Sequence, residues 1–405
     1  MEFMTVNRIK RFIKIFIATA CTVAVSCQAF ACKRTINIKQ SEIDICADEI
    51  RNYLDAKTAQ DQFTALANAM GSQLDRQYAS IEYSSENGKT YRVFAFNVND
   101  DNERFVVRGR GGKATGGLFI PGETYRLKIV GMSDYDEDFF NATAWKNQYS
   151  DYVTEEKTVK IKDSPVRFIT LNSGYNYRDL GGWKTETGKK ICYGKIYRGA
   201  RTNGFSEKDI AIFKDNLHIK SEIDLRNSND DGGQNSSILG DDINYLKAPM
   251  SQYSYILPSF SLNGRTFDTN SPAEIKRIFE FLADEHNYPL FFHCNAGADR
   301  TGTLAFLILG SLGVTIGDLT RDFELTSFSQ GGTRLRGKFQ EPFEYGIMQD
   351  DANNFVAWGD MISRIKSDYP TSDGKLSSSI KKYLTTECKI SAEILSKIAD
   401  ILLSK

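Results

Sequence analysis

One stretch constrains the fold above all others: "YPLFFHCNAGADRTGTLAFLILGSLG", from Tyr288 to Gly313. Its "PLFFHC" run lacks polar alternation and reads as a short strand buried on both faces, as in a parallel sheet. "RTGTLAFLILGSLG" reads as an apolar helix. Only "NAGAD" separates the two, so the chain must turn sharply from strand to helix. Parallel strands need crossover connections, which predicts an α/β domain with a central, mainly parallel sheet flanked by helices.

The flanking sequence agrees from about Val166 to Lys405. "KIYRGA", "IKSEIDLRN" and "INYLKAP" read as strands, and "SEKDIAIFKDNL" as a polar helix with Ser206 as its N-cap. In "SPAEIKRIFEFLADEHNY", Ile275, Ile278, Phe279 and Leu282 mark one helical face. "SSSIKKYL" and "SAEILSKIADILL" add helices near the end.

Residues 78–165 have a different period. "ASIEYSS", "KTYRVFAFNV", "ERFVVRG", "ETYRLKIVGM" and "KTVKIK" are short β-type runs separated by turn residues, the pattern of an all-β sandwich. "GRGGKATGG" lacks the GxxxxGK[ST] spacing of a phosphate loop and reads as a glycine-rich turn. "LFIPGETYRLKIVG" resembles the late part of a fibronectin type III domain, with Tyr125 as the corner tyrosine. Residues 32–77 read as a mostly helical, polar leader.

The first 31 residues have a basic start (Arg8, Lys10, Arg11, Lys14), a short apolar centre and a small-residue end at "AFA". This is the pattern of a signal peptide, and the apolar run is shorter than the roughly 20 residues of a spanning helix. Export to the periplasm or cell surface is expected, with cleavage after Ala31. Alternatively, "AVSC" resembles a relaxed bacterial lipobox, which would make Cys27 a lipidated membrane anchor. Lysine plus arginine is 51 against 52 for aspartate plus glutamate, so no basic face is expected for nucleic acid. Seven scattered cysteines and three histidines show no metal-ligand spacing, and no cofactor or metal is expected.

In the loop itself, Gly297 permits backbone angles that other residues resist, and Ala296 and Ala298 leave room for an oxyanion. Backbone N–H groups and the helix start near Thr301 form an anion site, to which Arg300 adds a planar bidentate donor. Cys294 at the base of that cradle suits a nucleophile, since a helix N-terminus and a nearby arginine favour the thiolate. In-line attack on phosphorus would expel an alcohol or phenol and leave a cysteinyl phosphate for water to hydrolyse.

"HCNAGADRTG" resembles the HCx5R[ST]G signature of protein tyrosine and dual-specificity phosphatases. "NYRDLGG" at Asn176, "GKIYRGA" at Gly194, "EIDLRN" at Glu222 and "RDFELTSFS" at Arg321 are similar to the bacterial branch of that family, over about Ile169 to Met348. The resemblance implies Cys294 as nucleophile and Arg300 as phosphate-binding arginine. It further implies N–H donors from Asn295, Ala296, Gly297, Ala298 and Asp299, a hydroxyl from Thr301 supporting the leaving thiolate, and His293 holding the loop. Arg178 and Asp179 are expected to be structural. The branch often has an aspartate after the strand matching "YLKAPM", where Ser251 and Gln252 stand here. Asp299 is therefore the first candidate general acid and Asp268 the second, while Asp284 reads as solvated. Ala298 replaces a lysine usual in the branch, which points to phosphotyrosine or another singly phosphorylated substrate. A phosphoinositide or inositol-phosphate phosphatase is the alternative, and a non-catalytic phospho-ligand-binding surface protein the second. The β domain is expected to engage a surface or carbohydrate partner. Cys192 reads as a strand-core residue, and would be a resolving partner for Cys294 only if the fold brings them together.

Overall fold

In the computed structural model the described residues are 37–404, apart from 77–78, 85–89, 101–103, 117, 133–155, 232–233, 259–260, 263–264, 267–269, 331–333 and 335–352. The expected signal segment, with Cys27 and Ala31, and Asp268 lie outside them.

The first half runs β1 (Glu42–Ile43), α1 (Asp48–Asp55), α2 (Ala59–Ala69), β2 (Ala79–Glu82), β3 (Thr90–Asn97), β4 (Arg104–Arg110), β5 (Lys113–Gly116), β6 (Thr124–Met132) and β7 (Lys157–Ile161). These strands bond in the order β1-β7-β6-β3-β4-β5-β2, with β1 and β7 parallel and the other pairs antiparallel. Ile38, ahead of β1, bridges Tyr83, just after β2, so the two ends of the order meet. Alternate residues face one apolar core: Tyr91, Val93 and Ala95 from β3, Phe105 and Val107 from β4, and Tyr125, Leu127 and Ile129 from β6. The glycine-rich run is the β4–β5 hairpin, whose Gly111 and Gly112 have φ of 62° and 81°, as a two-residue turn of this hand requires. Tyr125 is fully buried, and its hydroxyl accepts the Ile120 N–H at 3.0 Å.

The segment read as a leader divides its allegiance. Its first residues supply β1 to the β domain. Helices α1 and α2 instead bury Ile50, Tyr53, Leu66 and Ala69 in the core of the second domain. Thr58 caps α2 by accepting the Asp61 N–H at 3.1 Å.

The second half contains β8 (Arg167–Phe168), β9 (Arg178–Asp179), β10 (Ile196–Gly199), α3 (Glu207–Ala211), β11 (Ser221–Asp224), α4 (Ser228–Asp231), β12 (Asn244–Lys247), β13 (Ser261–Leu262), β14 (Arg265–Thr266), α5 (Ser271–Leu282), β15 (Leu290–His293), α6 (Asp299–Ser311), α7 (Ile316–Glu324), α8 (Asn353–Asp368), α9 (Leu376–Thr386) and α10 (Ala392–Leu402). Ser206 caps α3 in a capping box with Asp209. The main sheet has the order β12-β11-β15-β10-β9-β8, and β10, β11, β12 and β15 run parallel. β15 lies between β11 and β10, and α6 is buried from Thr301 to Ser311, which explains why both read as continuous apolar runs. His293 pairs in register with Gly199 on one side and Asp224 on the other. The loops after β10, β11 and β15 therefore leave the sheet at one carboxyl edge, where open α/β sheets place ligands.

Arg167 joins the two halves. It donates to the Phe119 carbonyl at 3.0 Å, to the Leu118 carbonyl at 2.6 Å, and to Asp179 Oδ2 at 3.0 Å. Asp179 also accepts the Gly181 and Gly194 N–H groups, each at 2.8 Å, which makes it a structural hub.

Candidate active site

The phosphate-loop residues stand together at that carboxyl edge. Cys294 follows β15 at its base and is buried, and Asn295–Ala298 lead into α6, whose first turn carries Asp299, Arg300 and Thr301. Gly297 has φ of 66°, and a Cβ there would lie 2.3 Å from the Gly199 carbonyl carbon and 2.4 Å from its oxygen. No side chain fits this contact.

Four carbonyls of the loop are held from outside, that of Asn295 by the Arg201 N–H at 3.0 Å and the next three by side chains. Asn176 Nδ2 donates to the Ala296 oxygen at 3.0 Å. Arg198 Nη2 donates to the Gly297 oxygen at 2.7 Å and the Ala298 oxygen at 3.4 Å. In a trans peptide the next N–H points opposite its carbonyl, so the N–H groups of Gly297, Ala298 and Asp299 are turned the other way, into the cradle. None of these N–H groups meets an acceptor among the described residues. Such converging amides at a helix N-terminus are built to receive an anion.

The side chains that hold the carbonyls are held in turn. Asp322, at the end of α7, accepts Arg178 Nε at 3.0 Å and also binds Arg198. Burial alone would raise the Asp322 pKa, but the charges of Arg198 and Arg178 outweigh it and keep the carboxylate below its usual range. Burial and the nearby Arg198 charge lower Arg178 to about 10, so it stays charged at neutral pH. Asn176 donates its own N–H to Asp75 Oδ2 at 2.7 Å, and Arg178 binds its side-chain oxygen. The "NYRD" motif is thus scaffolding: Arg178 and Asp179 are structural, as their positions predict.

His293 is fully buried, stacked on Phe291, and its Nε2 lies 2.8 Å from Glu222 Oε1. Ser237 binds the other Glu222 oxygen. With its ring nitrogen engaged below the loop, His293 supports rather than attacks. The Thr301 hydroxyl is buried and takes no partner among the described residues, so the role expected of it is unopposed by another hydrogen bond.

The expected general acid is otherwise engaged. Asp299 accepts Arg334 Nε at 2.7 Å on one oxygen and Nη2 at 2.8 Å on the other, and the Tyr253 hydroxyl also binds it. With both oxygens taken up by the Arg334 guanidinium and one also by the Tyr253 hydroxyl, Asp299 is committed to Arg334, and this geometry argues against it as the proton donor. Asp284 is exposed and caps a short turn, accepting the His286 N–H at 3.0 Å.

Sequence reasoning missed Asp230. It lies on α4, just beyond the carboxyl end of β11, and binds Arg300 directly. Burial works to raise the Asp230 pKa, and the Arg300 bond more than offsets this, holding it below the usual range. Its position after a parallel strand was the available signal.

The cysteines Cys46, Cys192, Cys294 and Cys388 are free. Cys192 precedes β10, at the opposite edge of the sheet from Cys294, so it is no resolving partner. It is half-buried beside the end of α10, where its N–H donates to the Leu402 carbonyl at 2.8 Å rather than lying in a strand core.

The chain is similar to several known phosphatases. A putative tyrosine-protein phosphatase of Cupriavidus necator is 25% identical over 165 residues, covering 36% of this chain and 59% of that protein. The putative tyrosine-protein phosphatase OCA1 of Debaryomyces hansenii is 27% identical over 109 residues, covering 27% of this chain and 53% of that protein. A tyrosine-protein phosphatase of Nostoc commune is 25% identical over 121 residues, covering 27% and 41%. The chain thus spans about half the length of the curated relatives it matches. Among solved structures, the core catalytic domain of the Saccharomyces cerevisiae PP-IP phosphatase SIW14 in complex with citrate is 16% identical, with a TM-score of 0.25, covering 44% of this chain and 91% of that one. The model of the tyrosine phosphatase family matches residues 169–404, and the chain belongs to that family.

Proposed function

We propose that this chain is an exported cysteine-dependent phosphatase that hydrolyses phosphotyrosine or a similar phosphomonoester. The pinned carbonyls of Ala296, Gly297 and Ala298 carry this reading, because they turn the next amides toward an anion above Cys294. The phosphoryl oxygens bind these amides and Arg300. The Cys294 thiolate attacks phosphorus, the bond to the leaving oxygen breaks, and a cysteinyl phosphate forms. Water then attacks phosphorus, the S–P bond breaks, and the thiolate leaves with inorganic phosphate.

Asp230 is the proton donor in this scheme. At rest it pairs with Arg300. A bound phosphate dianion takes over Arg300 and leaves the Asp230 carboxyl beside new negative charge, which raises its pKa. The carboxylate then takes up a proton from solvent, gives it to the leaving oxygen, and in the second step takes one from the attacking water.

Arg178 and Arg198 bind Asp322, Arg226 binds Asp224, and Arg334 binds Asp299, whereas an incoming phosphate can replace the Asp230 partner of Arg300. Arg201, exposed and donating its N–H to the Asn295 carbonyl, is a second cation beside the loop, so the preference for a singly phosphorylated substrate is supported by Ala298, which stands where the bacterial branch usually has a lysine. The fibronectin type III-like character of the β domain belongs to the same proposal, supported by the buried Tyr125 corner and the strand order.

Two variants test the chemistry. Cys294→Ser should abolish turnover of phosphotyrosine peptides under reducing conditions, and unchanged turnover would overturn the reading. Asp230→Asn should lower kcat on phosphotyrosine about 100-fold or more, but far less on a nitrophenyl phosphate whose leaving group needs no proton. Equal losses on both substrates would remove Asp230 from the role. A strong preference for inositol phosphates over phosphotyrosine peptides would replace the proposed substrate class. Fractionation of cells making the intact chain tests export.

A further inference from the structure

The loop contains a carboxylate, Asp299, immediately before the phosphate-binding Arg300. Left alone, it would repel the dianion that the loop amides attract. Arg334 meets it with both arms of its guanidinium, through Nε to Oδ1 and Nη2 to Oδ2. The ion pair is largely enclosed: the side chains are 9% and 21% exposed. Burial opposes the Arg334 charge, but the bonds to Asp299 outweigh it and hold the group ionised.

Arg334 is also anchored apart from Asp299, since its N–H donates to Ser327 Oγ at 2.7 Å. Tyr253 completes the enclosure. Its hydroxyl binds Asp299, and its N–H donates at 2.8 Å to Thr303 Oγ1, which itself donates to the Asp299 carbonyl at 2.9 Å. Thus the first turn of α6 is gripped by donors from two other segments, and the grip falls on the only acidic residue of the loop.

We infer that Arg334 is a positioning residue that neutralises Asp299, so that the loop presents its donors to phosphate without an opposing charge. The inference rests on the phosphatase reading above, but concerns a residue 35 positions beyond the loop carboxylate it serves. A buried ion pair by itself says little about stability. Here its place on the first turn of the helix that closes the phosphate loop gives it a charge-balancing role.

A charge cycle in the Cys294→Ser background tests this, with tungstate binding followed by calorimetry at low ionic strength and each variant checked by thermal melting. Arg334→Gln uncovers the carboxylate and should weaken tungstate binding about tenfold. Asp299→Asn/Arg334→Gln removes both charges and should bring affinity back to within about twofold of the parent. Asp299→Asn alone leaves an added positive charge and should bind tungstate more tightly than the parent, which keeps the test decisive if Arg334→Gln does not fold. A merely structural bridge predicts otherwise: both single variants weaken binding and the double variant stays weak. That pattern, or parent-like affinity in Arg334→Gln, overturns the inference. Binding is read without turnover, so a protein that binds tungstate with the expected cycle yet hydrolyses no phosphotyrosine sinks only the proposed function. One that hydrolyses phosphotyrosine with a flat cycle sinks only the role of Arg334.

Discussion

Gly297 shows how little freedom the site leaves at a single residue. Its φ of 66° already disfavours an L side chain, and the backbone of Gly199 and Ala200 occupies the space where a Cβ would go. Gly199 is itself confined, since a Cβ there would lie 2.3 Å from the Tyr177 ring. The loop after β15 and the end of β10 therefore touch backbone to backbone. Gly297→Ala must push them apart, which should cost at least about 2 kcal/mol of stability. Moving the donors by a fraction of an ångström should also lower kcat/KM about 100-fold. Thermal melts and steady-state kinetics read both, and an active, fully stable alanine variant would show that the contact is softer than its geometry implies.

At the scale of elements, the site is a meeting of strand ends tied together by one helix. α7 ends beside Asp322, which binds Arg178 from β9 and Arg198 from β10, and Arg198 in turn holds the loop between β15 and α6. A single buried carboxylate thus registers four elements against one another. Asp322→Asn leaves two buried guanidiniums without a counter-charge and should destabilise the protein by about 3 kcal/mol at neutral pH. The sign with pH follows from the lowered pKa of Asp322 in the folded protein. Its contribution is complete above the unfolded carboxylate value of about 4, and is lost as pH falls through the lower folded value. The stability gap between the parent and Asp322→Asn should therefore stay level from pH 7 to about pH 4.5 and narrow below pH 4. A gap that closes already between pH 7 and 5 would mean that the carboxylate is not held ionised by its two arginines. Loop chemistry should suffer alongside, because Arg198 loses the partner that aims it at the Gly297 carbonyl.

Across the whole molecule, the legible features were those written in consecutive residues. The phosphate loop, the strand before it and the helix after it occupy one run, and the period-two strands from Ala79 onward pack as their alternation predicts. The illegible features are long-range pairings. Arg300 and Asp230 are 70 residues apart, and Asn176 and Asp75 are 101 apart. Helices α1 and α2 read only as a polar leader, since a helical pattern does not name the surface that covers it. In the fold they dock on the catalytic half, where the Tyr53 hydroxyl donates to Glu324 Oε2 at 2.6 Å and the Gly71 N–H to the Ser327 carbonyl at 2.8 Å. Asp75, just after α2, then reaches Asn176, whose φ of 60° is a left-handed conformation, and Asn176 reaches the Ala296 carbonyl. A segment that reads as a polar leader is in this way two hydrogen bonds from the phosphate cradle. Asp75→Ala leaves the buried Asn176 N–H without this acceptor, at a cost of about 1–3 kcal/mol. Because the loss passes to the loop carbonyl, kcat should also fall about tenfold. Melting temperature and kcat on a phosphotyrosine peptide, measured on the same preparation, separate the two effects. If the variant melts earlier but turns over at the parent rate, the helices serve stability alone and the path through Asn176 does not reach the chemistry.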